Sequence, residues 1–255
     1  MPNGIRRFAL IRNSYSLENL TRLNKFIRET GFCSRREADQ FIEDGRVTVN
    51  GNVPELGTKV SAADDIRIDG KPISKKEELH YLAFNKPAGI ICTTELDIKQ
   101  NIIDYIKYPT RIFPIGRLDR ASEGLIFLTN DGDIVNKILR AGNNHEKEYL
   151  VTVDKPITDT FIRRMGNGLP ILETTTKKCF VEQTGKFQFR IILTQGLNRQ
   201  IRRMCNYLEY EVKALRRFRI MNITLEGLKA GDWREFTKEE METINKLIAN
   251  SSKTA

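Results

Sequence analysis

The chain has 255 residues, 40% hydrophobic and 29% charged, a composition of one or two globular domains that excludes fibrous and low-complexity classes. Its longest uncharged apolar runs, such as Leu125 to Leu128 and Gly89 to Cys92, fall far short of the roughly 18 residues needed to span a bilayer. The net charge of +9 is concentrated, since residues 186 to 219 hold nine basic residues and two acids; this favours a polyanionic partner, nucleic acid above all, over a merely solvated face.

Residues 1–20 carry only Phe8 to Ile11 after Arg6 and Arg7, too few apolar positions for a secretory signal, and read as a flexible tail rather than an organellar presequence. Leu23, Phe26 and Ile27 then take helical spacing up to Gly31, and Ser34-Arg35-Arg36-Glu37 forms a capping box that opens a second helix with Ala38, Phe41 and Ile42 on its apolar face. Val47 and Val49 alternate with polar residues before Asn50-Gly51, and Ile66 and Ile68 do so before Asp69-Gly70, both strong hairpin signals. A module of two helices and hairpins is predicted over 21–74, with basic Arg22, Lys25, Arg35 and Arg36 on its helical part. Lys75-Lys76-Glu77-Glu78 has no apolar periodicity, so residues 75–79 read as a linker and a second domain is predicted over 80–255.

In that domain Tyr81 to Phe84, Arg111 to Phe113, Gly124 to Thr129, Tyr149 to Val153, Cys179 to Val181 and Phe187 to Leu193 have strand composition. Helices are predicted at about 133–141, 158–165, 199–208 and 237–249. Because strands and helices do not alternate strictly, an α+β fold with a mostly antiparallel central sheet flanked by helices is expected.

No nucleotide-binding glycine loop, nucleophile elbow or zinc-protease signature occurs. Cys33, Cys92, Cys179 and Cys205, and His80 and His145, are too scattered for a metal or redox pair, so no metal is expected; isolated cysteines of this kind suit the reducing cytoplasm. Two other stretches stand out. In Gln195 to Met204 a glycine turn leads into a helix on which Ile201, Met204, Cys205 and Leu208 share one face, while Arg199, Arg202 and Arg203 gather opposite at the positive helix start. Such a cluster either binds an anion or is simply a solvated face. In Phe113 to Gly132, Asp119 sits between Arg117 and Arg120 in a glycine-flanked loop. Taken alone, such an aspartate is most often a turn residue or a surface ion pair.

The segments L-N-K-F-I, G-x-C-S-R-R-E-A-D and I-x-x-G-R-V-x-V-N-G resemble the S4-type RNA-binding domain. Asn85-Lys86-Pro87-Ala88-Gly89, Gly116-Arg117-Leu118-Asp119, Lys147-Glu148-Tyr149 and Asn198-Arg199-Gln200-Ile201-Arg202-Arg203-Met204, in that order, resemble the motifs of the ribosomal RNA pseudouridine synthases that carry such a domain. Within that family, the stretch from Lys137 to Thr158 and Thr176-Lys177-Lys178-Cys179 are similar to the large-subunit synthases of type F. Leu197 departs from the pattern where a basic residue is frequent, as does Arg120 where lysine is common.

The resemblance implies isomerisation of a flipped-out uridine to pseudouridine in large-subunit ribosomal RNA, with tRNA as an alternative substrate, by a cofactor-free monomer. It makes Asp119 the catalytic carboxylate, as nucleophile or base, with Tyr149 stacked on the uracil and Arg202 paired to Asp119 to keep it ionised and oriented. It assigns Arg117, Leu118, Arg120, Arg199, Gln200, Ile201 and Lys86 to the RNA, and Arg22, Lys25, Arg35 and Arg36 to phosphate contact; Lys86 and Pro87 also read as a structural turn. A non-catalytic RNA-binding or ribosome-assembly factor would keep the basic surfaces without needing Asp119, Tyr149 and Arg202. A metal-dependent nuclease would lose its activity in EDTA.

Overall fold

The computed structural model describes residues 20–74, 78–95 and 97–251. All but the last residue of the predicted tail, and residues 75–77 of the predicted linker, lie outside that range. The chain divides into two compact units between Glu77 and Glu78. Among the described residues no helix is long and apolar enough to cross a membrane.

The first unit contains β1 (Thr21–Arg22), α1 (Leu23–Glu29), α2 (Arg35–Glu43), β2 (Val47–Val49), β3 (Lys59–Val60), β4 (Ile66–Ile68) and β5 (Lys71–Pro72). The capping box forms in full: Glu37 N donates to Ser34 Oγ at 3.2 Å and Ser34 N to Glu37 Oε2 at 2.6 Å, a cap worth about 1 kcal/mol. Leu23, Phe26, Ile27, Ala38 and Ile42 from the helices close over Val47, Val60, Ile66 and Ile68 from the strands. Asp69 and Gly70, both with positive φ, make the tight turn joining β4 to β5. Asn50-Gly51 does less than a hairpin turn would. It closes only the bridge between Val49 and Asn52, and β2 pairs instead with β4, where Val47 meets Ile68.

The second unit is built on a nine-stranded sheet. In chain order its elements are β6 (Tyr81–Lys86), α3 (Ile102–Ile106), β7 (Phe113–Ile115), β8 (Glu123–Thr129), α4 (Gly132–Leu139), β9 (Lys147–Val153), α5 (Asp159–Gly166) and a small hairpin of β10 (Pro170–Ile171) and β11 (Thr174–Thr175). There follow β12 (Phe180–Gly185), β13 (Gln188–Leu193), α6 (Gln200–Tyr207), β14 (Val212–Ile220), β15 (Ile223–Thr224), β16 (Trp233–Glu235) and α7 (Lys238–Ile248). The central sheet runs β12-β13-β9-β14-β8-β6-β16, with β7 beside β8 and β15 beside β14. Every neighbouring pair along that path is antiparallel except β14 with β8, so the expected α+β class and mostly antiparallel sheet hold.

Helices cover both faces. Ile126 and Leu128 of β8 pack with α3, α5 and α6, whereas Leu125 and Phe127 pack with α4 and α7. A strand buried on both sides reads as a continuous apolar run, which is why Gly124 to Thr129 is recognisable as one. The strand expected at Arg111 to Phe113 lies at Phe113–Ile115, and that expected at Cys179 to Val181 extends as Phe180–Gly185. The sequence pattern does not reveal α3, β14 or β16.

Candidate active site

One row of residues crosses the middle of the sheet. Lys86 of β6 faces Gly124 of β8, Gly124 faces Arg217 of β14, Arg217 faces Tyr149 of β9, and Tyr149 faces Ile191 of β13. On this face of the sheet the core gives way, at the row, to charged and aromatic side chains. Lys147 adds another cation two residues before Tyr149 on the same side of β9.

Asp119 stands in the loop between β7 and β8. The chain leaves β7 through Gly116 with φ of +79°, anchors the buried Leu118 through its N–H to Cys92 Sγ at 3.4 Å, and turns back through Ser122 N to Asp119 O at 3.0 Å. Arg202 reaches this turn from the first turn of α6. Its Nε is 3.4 Å from Asp119 Oδ2, its Nη2 donates to Ser122 Oγ at 3.2 Å, and its Nη1 donates to Val212 O at 3.3 Å. The Nε contact is an ion pair without hydrogen-bond alignment, which leaves that buried N–H unsatisfied. Two neutral acceptors fix the guanidinium, and the carboxylate supplies the charge.

Several residues expected to touch RNA are largely buried. Lys86 is fully buried; its Nζ donates to Pro87 O and Ile90 O, both at 2.9 Å, and burial pushes its ammonium below the usual lysine range. It therefore pins the loop after β6, the structural-turn reading of that motif. Leu118, in the Asp119 loop, and Ile201, on the apolar face of α6, pack into the core and also line the cleft. Gln200 is buried at the start of α6, where its Oε1 accepts from Leu197 N at 3.0 Å and so holds the glycine turn.

The remaining basic residues divide. Arg117 and Arg199 line the rim of the cleft. Arg120 donates from Nε to Gly89 O at 3.1 Å and from Nη2 to Gln100 Oε1 at 2.7 Å, which ties the Asp119 loop to the loop after β6. Arg203 turns back to Asn198, so the three arginines of this motif do not converge on one point. In the first unit Arg22, Arg35 and Arg36 are exposed, and Lys25 is partly buried beside Glu29 at 3.5 Å.

The cleft at Asp119 has two lobes. One is bordered by Tyr149, Leu193, Leu215 and Ile201, with Asp119, Ser122 and Arg202 at its edge. The other, of about 730 Å³, extends along Gly116, Leu139, Lys147 and Arg217, and is rimmed by Arg117, Arg199 and Glu95. Tyr149, itself 8% exposed, borders both lobes. A carboxylate paired with a fixed arginine, beside an aromatic ring in an open cleft, is competent for nucleophilic or base chemistry on a planar ring.

Residues 80–207 match the RNA pseudouridylate synthase family and residues 21–66 match the S4 domain. The chain belongs to the RNA pseudouridine synthase family. It is 59% identical over 237 residues to the dual-specificity RNA pseudouridine synthase RluF of Salmonella typhi, covering 92% of this chain and 82% of that one. The RluF of Escherichia coli K12 is 56% identical, with the same coverage. The ribosomal large subunit pseudouridine synthase B of Bacillus subtilis is 36% identical, covering 92% of this chain and all of that one. A crystal structure of a pseudouridylate synthase superposes with a TM-score of 0.66 at 29% identity, over 88% of this chain and 99% of that one. The synthase is thus an isomerase of RNA, with an S4 domain ahead of its catalytic unit.

Three residues of this cleft carry no signal of their role in the sequence: Ser122, Leu215 and Arg217. Arg217 lies within a basic run that shows only its charge. The alternation of β14 that would mark Arg217 as inward-facing is broken by irregularities between Val212 and Ala214 and between Arg217 and Arg219.

Proposed function

We propose that this synthase isomerises a uridine of large-subunit ribosomal RNA, with Asp119 as the catalytic carboxylate. What carries the reading is the placement of Asp119 at the shared mouth of both lobes, 3.4 Å from Arg202, with Tyr149 bordering the same two lobes. The C1′–N1 bond breaks, the base turns, a C5–C1′ bond forms, and the C5 proton is lost while N1 gains one. All atoms are conserved. Asp119 either adds to the nucleotide or removes a proton, and Arg202 holds it for both roles. The lobe bordered by Leu193, Leu215 and Ile201 suits a flipped base with Tyr149 against its ring, and unstacking that base costs a few kcal/mol. Arg117 and Arg199 at the rim, with Arg22, Arg35 and Arg36 of the S4 domain, offer charge to the backbone.

The name of the Bacillus subtilis relative, a ribosomal large subunit synthase, supports the substrate class, and the dual specificity named for the RluF relatives is compatible with a second RNA substrate, for which we propose tRNA. The four free cysteines suit the cytoplasm. Mapping pseudouridines in ribosomal and transfer RNA from cells with and without this chain tests the reading. At least one large-subunit position should revert to uridine, and an unchanged map sinks the proposal.

The two arginines should separate binding from rate. Arg199→Ala should weaken RNA binding several-fold and lower the salt slope by about one, as loss of one phosphate contact does. Arg202→Ala should instead lower the rate on saturating RNA by about 100-fold or more. Equal binding losses with unchanged rates would reject this division.

A further inference from the structure

From the second lobe of the cleft we infer a phosphate subsite, formed by Lys147 and Arg217 behind Tyr149, that holds a phosphodiester flanking the flipped uridine. This deepens the proposed function and rests on it. Lys147 is 6% exposed and Arg217 is 4% exposed, so neither is a solvated surface cation. Their hydrogen-bond partners are all neutral: Lys147 Nζ donates to His145 O at 3.3 Å, Arg217 Nε to Leu125 O at 2.7 Å and Arg217 Nη1 to Tyr149 OH at 3.4 Å. Arg217 Nη2 has no partner among the described residues.

The same strands treat structural cations differently. On the opposite face Arg219 pairs with Glu146 and Glu148, and Arg190 pairs with Glu148 and Glu182. Carboxylates accompany the cations there. On the cleft face the acids lining the lobe are Asp119, already facing Arg202, and the exposed Glu95. Buried like charges without a counterion repel and are desolvated at a cost that a bound anion relieves. Burial and the neighbouring Arg217 push the Lys147 ammonium down to about 8, a shift that a bound anion would oppose.

The anion of matching chemistry is a phosphate of the nucleotide already in the cleft. Tyr149 borders both lobes, so with a base on one side of it the backbone that swings out with the base passes the cationic side. The volume of about 730 Å³ lies within the range of ligand pockets and accommodates more than a pyrimidine ring.

The probe is a synthetic stem-loop spanning a uridine identified by the mapping above, with a neutral methylphosphonate replacing one phosphate at a time. On the full-length wild type, neutralising one phosphate next to the target uridine should weaken binding about tenfold, the loss of one charge-assisted hydrogen bond. Lys147→Met should bind the unmodified RNA about tenfold more weakly, and for it the same replacement should matter less than about twofold. Lys147→Arg keeps the charge and should restore the wild-type penalty, which a merely structural role of Lys147 does not demand. Equal penalties in wild type and Lys147→Met, or coupling confined to phosphates away from the target, overturn the inference. So does competition by inorganic phosphate that depends on Lys147 without any methylphosphonate coupling, which marks a site for the free ion. Pseudouridine formation by the wild type on the same RNA keeps the proposed function standing in each of these failures.

Discussion

Asp119→Asn should leave the synthase folded and bound to RNA while lowering pseudouridine formation by at least about 1,000-fold, the scale of a lost nucleophile or general base. The loop does not depend on the carboxylate. It is held by Ser122 N on Asp119 O, by Leu118 N on Cys92 Sγ and by the Arg120 clamp on Gly89 and Gln100. Asparagine keeps the side-chain volume, and Arg202 keeps Ser122 Oγ and Val212 O as acceptors. Loss of this partly exposed ion pair should cost less than about 1 kcal/mol of stability. RNA binding should be unchanged or slightly tighter, because one negative charge has left a cleft that receives a polyanion. Single-turnover formation of pseudouridine, with a gel shift on the same RNA, measures both. Normal product from the folded variant removes Asp119 from the chemistry, and joint loss of binding and product makes its role structural.

Features governed by local chemistry are legible in the amino-acid sequence itself. The capping box at Ser34 and Glu37, the turn at Asp69-Gly70 and the apolar run of β8 each follow from a few adjacent residues. The juxtaposition of Asp119 with Arg202, 83 positions apart, follows only from resemblance to a family, since spacing alone leaves Asp119 a turn residue. Inward or outward direction is less legible. Lys86 and Gln200 are assigned to the RNA only by the resemblance, and both are buried with backbone carbonyls and the Leu197 N–H as partners, while Gln200 also lines the cleft. β14 is hidden because two irregularities within Val212–Ile220 break the inside-outside alternation by which a half-buried strand is recognised. Register across β6, β8, β14 and β9, which assembles the cationic row, is a non-local property that no short window contains.

Gly124→Ala should destabilise the catalytic unit by more than about 4 kcal/mol, the range reserved for severe steric or core disruption. A β-carbon at this position would lie 2.1 Å from Arg217 O and 2.7 Å from Arg217 N, both backbone atoms that no rotamer change can move aside. The φ of +107° is itself unfavourable for alanine. Relief requires β8 and β14 to separate, and their ladder is short, with the parallel register pairs Glu123 with Arg216 and Gly124 with Arg217. Separation would also stretch the bond from Arg217 Nε to Leu125 O, displacing the guanidinium beside Tyr149. At about 2–4 °C per kcal/mol for a unit of this size, the melting midpoint should fall by roughly 10 °C or more. Gly142→Ala is the matched control, with nothing within 4 Å of an added β-carbon and no positive φ, and should change stability by less than about 0.5 kcal/mol. A Gly124→Ala protein that melts within about 3 °C of wild type and keeps its activity would mean that the β8–β14 junction yields without consequence. The parallel seam would then be separable from the site, and Gly124 would owe its place to the turn before β8 rather than to the close approach of Arg217.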